Sequence, residues 1–117
     1  MESYRTIEAW KRAHEAVITT LRVTDESYQP RARALFDQLR RATISIEANI
    51  VEGYALRTPL LFRKHLRIAL GSAAEAECLI RVADELRYLP EDTLRKLRLL
   101  LDGTIRTLVG FLRKPVG

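Results

Sequence analysis

The histidines are the first residues to test for chemistry, and there are two, His14 and His65. A di-iron helical bundle needs paired Glu-x-x-His motifs. Here the positions ahead of the histidines hold Lys11 and Phe62 instead of glutamate. Helical ribonucleases of the HEPN type set an arginine a fixed short distance before a histidine. Arg57 lies too far from His65, Arg63 lies too close, and His14 has no candidate. There is no Cys/His metal spacing and no glycine-rich phosphate loop. The expectation is a protein with no catalytic residues, no metal site and no cofactor. Cys78 is the lone cysteine, so no intrachain disulfide is available and a reducing compartment is expected. Within Glu77-Cys78-Leu79-Ile80 it reads as a small buried apolar residue.

The cations are more informative. Arg57, Arg63, Lys64 and Arg67 stand together, with no acidic residue between Glu52 and Glu75. Elsewhere charges alternate at helical spacing, as in Arg33–Asp37, Glu77–Arg81, Glu91–Arg95, Asp92–Lys96 and Arg98–Asp102, the pattern of a solvated face. The 57–67 cluster has no such partners, and it falls early in a helix, where the dipole disfavours positive charge. Uncompensated cations there point to an anionic partner, with a nucleic-acid backbone the first candidate. A merely solubilising surface is the alternative. Of the 20 basic residues 16 are arginine, whose planar guanidinium suits phosphate.

Helices must position these groups. Apolar residues recur at helical spacing throughout, and no segment alternates with period two, so no strand is expected. Ile7, Trp10, Val17 and Leu21 mark a first helix over 7–25, with His14 on the same stripe and Thr6 as N-cap. Pro30 suits the first position of a second helix running to about Tyr54, with Leu35, Leu39, Ala42, Ile46, Ile50 and Gly53 on one face. Thr58-Pro59 starts a third that ends near Tyr88, and Pro90 begins a fourth that stops before Pro115. Links this short make sequential helices antiparallel neighbours. The predicted fold is an all-α, up-down-up-down four-helix bundle, a single domain over 1–117. The small residues Ala69, Ser72, Ala73 and Ala76 let another helix approach the third. Ser45, Asn49, Glu52 and Ser72 fall near the seam of the second and third helices. They read as a hydrogen-bond network that sets register, with Gly53 as terminator or close-packing point.

This topology gathers the starts of helices one and three and the ends of two and four at one pole. Residues 1–12, 48–67 and 103–117 carry +1, +3 and +3 there, while the opposite pole is neutral and the whole chain is +5. Arg57, Arg63, Lys64, Arg67, Arg106, Arg113 and Lys114 are the candidate phosphate contacts, holding backbone without reading sequence. Leu60-Leu61-Phe62 and Leu99-Leu100-Leu101 put apolar side chains on more than one face, which predicts self-association. The polar start at Met1–Thr6 gives no expectation of a signal peptide. No apolar run approaches the roughly 18–20 residues that span a membrane, so a soluble cytoplasmic protein without a membrane partner is expected.

Two blocks carry a family resemblance. The first is Gln38-Leu39-Arg40-Arg41-Ala42, Ser45-Ile46, Asn49-Ile50 and Glu52-Gly53. The second is Phe62, Leu66, Ile68, Ala69, Gly71, Ser72 and Glu75. With Trp10-x-x-Ala13 and Tyr88-Leu89 they resemble the bacterial four helix bundle protein family. Some of its members are encoded in intervening sequences of large-subunit ribosomal RNA genes and have been labelled ribosomal-protein-like. Glu47 stands where proline is common, and Val51 where alanine is. The resemblance implies a bundle that assembles as a homopentamer without established enzymatic activity. The motif residues Asn49, Glu52, Gly53, Ser72 and Glu75 read as structural. A related branch comprises accessory proteins of diversity-generating retroelements, basic pentamers that bind nucleic acid and a reverse transcriptase. Leu35-Phe36-Asp37-Gln38 lacks that branch's Gly-Asp-Arg stretch. Two functions follow as expectations. One is a non-enzymatic ring that binds RNA or DNA through its basic pole. The other is a protein adaptor, such as an accessory subunit for a reverse transcriptase or another nucleic-acid enzyme.

Overall fold

A Thr-Pro step sets the start of the longest helix. Thr58 is extended, its Oγ1 accepts the Leu61 N–H at 3.2 Å, and Pro59 takes the first turn, where a missing N–H is harmless. The computed structural model describes residues 4–115, so the reading of the first three residues lies outside it. Four helices follow in order: α1 Glu8–Glu26, α2 Arg33–Ala55, α3 Pro59–Glu85 and α4 Glu91–Arg113. Each packs on its neighbours in sequence, and α1 closes the ring against α4. This is the up-down-up-down bundle, about 47 Å long, and among the described residues it contains no strand.

The core is a single apolar cluster. Phe36, Leu39, Ile46 and Ile50 from α2 meet Leu66 and Ile80 from α3 and Leu97, Leu101 and Leu108 from α4, all fully buried. Ala69, Ala73, Ala76 and Ala83 give α3 a smooth inner face, and the pair α2–α3 is the most extensive contact in the fold. Three buried threonines resolve their hydroxyls locally, whereas the buried Thr20 Oγ1 has no partner among the described residues. Thr24, Thr43 and Thr104 donate to the carbonyls of Thr20, Leu39 and Leu100 one turn back.

The boundaries differ from expectation at four points. The N-cap of α1 is Ile7, which is extended, because Tyr4–Thr6 forms a 3-10 turn whose Tyr4 carbonyl accepts the Ile7 N–H. Pro30 likewise opens a 3-10 turn, Pro30–Ala32, that leads into α2. Helix α3 stops at Glu85, three residues before Tyr88. Arg87 adopts left-handed φ 58°, and Arg87 and Tyr88 donate back to Asp84 and Ala83, a full Schellman closure. Pro90 is the N-cap of α4, and Glu91 is the first helical residue.

Cys78 is exposed, not buried. Buried Ala73, Ala76, Ile80 and Ala83 define the inner stripe of α3, and the 3.6-residue period carries Cys78 to the opposite side. Arg98 does not take Asp102; it crosses to Asp84 of α3 at 2.6 Å. Glu91–Arg95 and Asp92–Lys96 do not close to ion-pair distance, whereas Arg33–Asp37 and Glu77–Arg81 do, at 3.9 and 3.3 Å.

Candidate nucleic-acid interface

The α2–α3 seam positions the basic pole, and a polar chain sets its register. Asn49 Nδ2 donates to the Ser45 carbonyl at 2.9 Å and lies 3.2 Å from Ser45 Oγ. Ser45 Oγ meets Ser72 Oγ across the seam at 2.8 Å. Asn49 Oδ1 then accepts from His65 Nδ1 at 3.0 Å. Gln38 extends the seam by donating to Glu75 at 2.6 Å. Glu52 is exposed on α2, and among the described residues no hydrogen bond joins its side chain to this network. His65 is a member that the sequence reading considered only for catalysis. One turn further on, Gly53 is buried against α3. A Cβ there would lie 2.7 Å from His65 Cβ and 3.1 Å from Phe62 Cδ1. The other histidine, His14, stacks on Trp10 with centroids 4.7 Å apart and bonds Glu47 at 2.9 Å, joining α1 to α2. Among the described residues no cluster of His, Cys, Asp or Glu could hold a metal.

The seven basic residues do not form one uniform patch. Arg57 lies in the α2–α3 turn with φ 60°, exposed. Arg63 is half-buried, and its guanidinium donates to the Leu112 and Lys114 carbonyls at 2.6 and 2.8 Å. It therefore caps the end of α4, where unpaired carbonyls and the negative end of the dipole welcome a cation. Its charge is offset within the fold, contrary to the expectation for the cluster as a whole. Arg67 follows one turn along α3, and Arg106 precedes Arg113 by two turns on α4; all three are exposed, as are Lys64 and Lys114. Among the described residues, none of the seven stands within ion-pair distance of a carboxylate.

Replacing Arg63 with alanine is expected to lower stability by about 1–2 kcal/mol, since two charge-assisted bonds at a half-exposed site are lost. Thermal unfolding measures this. Arg63→Lys should recover only part of it, because one ammonium cannot reproduce the two-pronged contact.

Three helix ends enclose a cleft of about 560 Å³ at this pole, lined by Tyr54, Arg57, Phe62, Arg63, Phe111 and Lys114 among others. The three rings form an edge-to-face ladder. Phe62 meets Tyr54 at 6.3 Å and Phe111 at 5.2 Å, with planes 74° and 73° apart. Lys114 Nζ lies 5.8 Å from the centre of Phe111. The sequence reading missed this feature. Tyr54 and Phe111 could have been noticed as aromatics at helix ends sharing the basic pole.

Residues 5–110 match the family model described as 23S rRNA-intervening sequence protein. The chain belongs to that family. In this family member the two motif blocks are the facing sides of α2 and α3, and they meet through Ser45–Ser72, Gln38–Glu75 and the Gly53 contact. A crystal structure of a protein of unknown function from the S23 ribosomal protein family of Bacteroides thetaiotaomicron has the same fold. It is 18% identical, with a TM-score of 0.81 over 91% of this chain and 99% of the other. A search of the curated proteins returns no match.

Proposed function

We propose that this intervening-sequence family protein is a non-enzymatic oligomer that binds the backbone of RNA or DNA through its basic pole. The observation that carries the reading is that Arg57, Lys64, Arg67, Arg106, Arg113 and Lys114 are exposed on this half of the bundle and, among the described residues, none is paired with a carboxylate, whereas Arg63 is already held by the end of α4. Phosphates are the natural counter-charge for such an end, and contacts of this kind are independent of sequence. Both histidines are engaged in contacts between helices, which suits binding better than turnover. The cytoplasm is the proposed compartment, where an exposed unpaired thiol such as Cys78 stays reduced.

Self-association is supported by the outer side of α3. Leu61, Ile68, Cys78 and Val82 are exposed there along one stripe, and Gly71 among them has nothing within 4 Å of a built Cβ. The proposed assembly is a homopentamer, as the family resemblance implies. A ring would repeat the basic pole around an axis and turn a modest field into a strong one. Ile68→Glu is expected to reduce the mass in solution to the 13.4 kDa of one chain while helical content holds, because Ile68 is 44% exposed within the subunit. Light scattering with circular dichroism reads both. A mass unchanged by this substitution would reject the α3 stripe as the interface.

The same apolar stripe favours a second reading, in which it docks another protein, such as a reverse transcriptase or other nucleic-acid enzyme. Titrating labelled RNA and DNA across a salt series, on protein of known mass, separates the two. The nucleic-acid reading expects affinity to fall steeply, with log K losing about 0.7–0.9 per decade of salt for each phosphate held. An absence of binding at low salt would reject it and leave the adaptor.

A further inference from the structure

We infer that the cleft at the basic pole receives one unpaired nucleotide of a single strand, its base against Tyr54 and Phe111 and its phosphates on Arg57 and Lys114. The inference rests on the nucleic-acid reading above and narrows it. Phosphates alone would need only cations, and the exposed arginines of α3 and α4 already offer those. The cleft adds something different, a wall of aromatic rings with no carboxylate among its lining residues. At about 560 Å³ it falls within the roughly 300–1,000 Å³ typical of small-ligand sites. Phe62 anchors the ring ladder between α2 and α4, and Tyr54 and Phe111 are only partly buried and both line the cleft. Every nucleobase has a flat π surface that stacks on such rings, whatever its identity.

The cations are placed to complement a stacked base. Arg63 grips the Leu112 and Lys114 carbonyls, which pins the end of α4 and keeps Lys114 beside Phe111. Arg57 stands on the α2–α3 turn among the same lining residues. A base lying on Phe111 would therefore carry its flanking phosphates past two exposed cations. A duplex cannot do this, because its interior bases are already stacked on both faces and it presents phosphates, 2′-hydroxyls and groove edges instead of an open base face. The cleft consequently favours single strands, loops and ends over paired segments.

The test compares a labelled, unstructured single-stranded RNA with the duplex of the same sequence by fluorescence anisotropy, on wild type and on Phe111→Leu, which keeps the apolar bulk but removes the ring. The expected result is a single-strand preference of about tenfold or more in wild type, lost in the variant mainly through weaker single-strand binding. AMP should compete with the strand, and ribose 5-phosphate at the same concentration should not. Equal affinity for the two RNAs in wild type, or equal competition by the two small phosphates, overturns the cleft inference while leaving backbone binding in place. Binding to neither RNA overturns both. Tyr54→Leu, on a different helix, is read in the same way should Phe111→Leu lose helical content.

Discussion

Reversing Lys64, Arg67 and Arg106 to glutamate together is expected to weaken RNA binding by about 100-fold at ~0.1 M salt and to lower the log–log salt slope by two to three units. The three side chains are exposed and take part in no ion pair among the described residues. Their replacement should therefore leave the helical circular dichroism and the melting temperature nearly unchanged. Arg63 is left out deliberately: its guanidinium holds the end of α4, so a loss of binding in an Arg63 variant would mix recognition with unfolding. Anisotropy with labelled RNA across a salt series measures the outcome. Retained affinity with an unchanged slope would show that the nucleic acid sits elsewhere.

Gly53→Val is expected to destabilise the bundle by about 3 kcal/mol, although valine is the better helix former. The gain in propensity over glycine is below ~1 kcal/mol. Against it stands a Cβ position 2.7 Å from His65 Cβ, which is anchored to the backbone of α3 and cannot swing aside. The two helices must separate, and the Asn49–His65 bond next to the contact goes with them. Gly71→Ala is the control. Nothing lies within 4 Å of its Cβ position, so alanine should add about 0.5–1 kcal/mol to the stability of the single subunit. Gly103→Ala falls between them, because the atom in its way, Arg12 Nη1, is the far end of a flexible side chain. Denaturant unfolding under conditions that keep the subunit monomeric ranks all three. Equal effects at Gly53 and Gly71 would show that the α2–α3 approach is not as close as the structure has it.

Much of this architecture was legible in the residues themselves. Helical periodicity, the Thr58-Pro59 step and the short links determined four antiparallel helices, because periodicity and capping are local properties of a chain. Topology then followed from link length, and topology alone gathered the cations at one pole. What the sequence could not determine is which atoms meet. Cys78 is not such a case: the 3.6-residue phase of Ala73, Ala76, Ile80 and Ala83 already puts it outside, so the expected burial misread a local pattern. Arg63 reads as one cation of a cluster until the fold brings the end of α4 against it, and then its charge is already answered. His65 reads as a failed catalytic residue and becomes the last link of a seam network, because its partner Asn49 is supplied by the other helix. The cleft is the clearest case: Tyr54, Phe62 and Phe111 are separate aromatics in sequence and one wall in space. Composition and spacing determine helices and charge, and the two motif blocks carry the family resemblance. Tertiary structure decides which charges remain unanswered and where rings converge, since both depend on contacts between distant residues that no local pattern encodes.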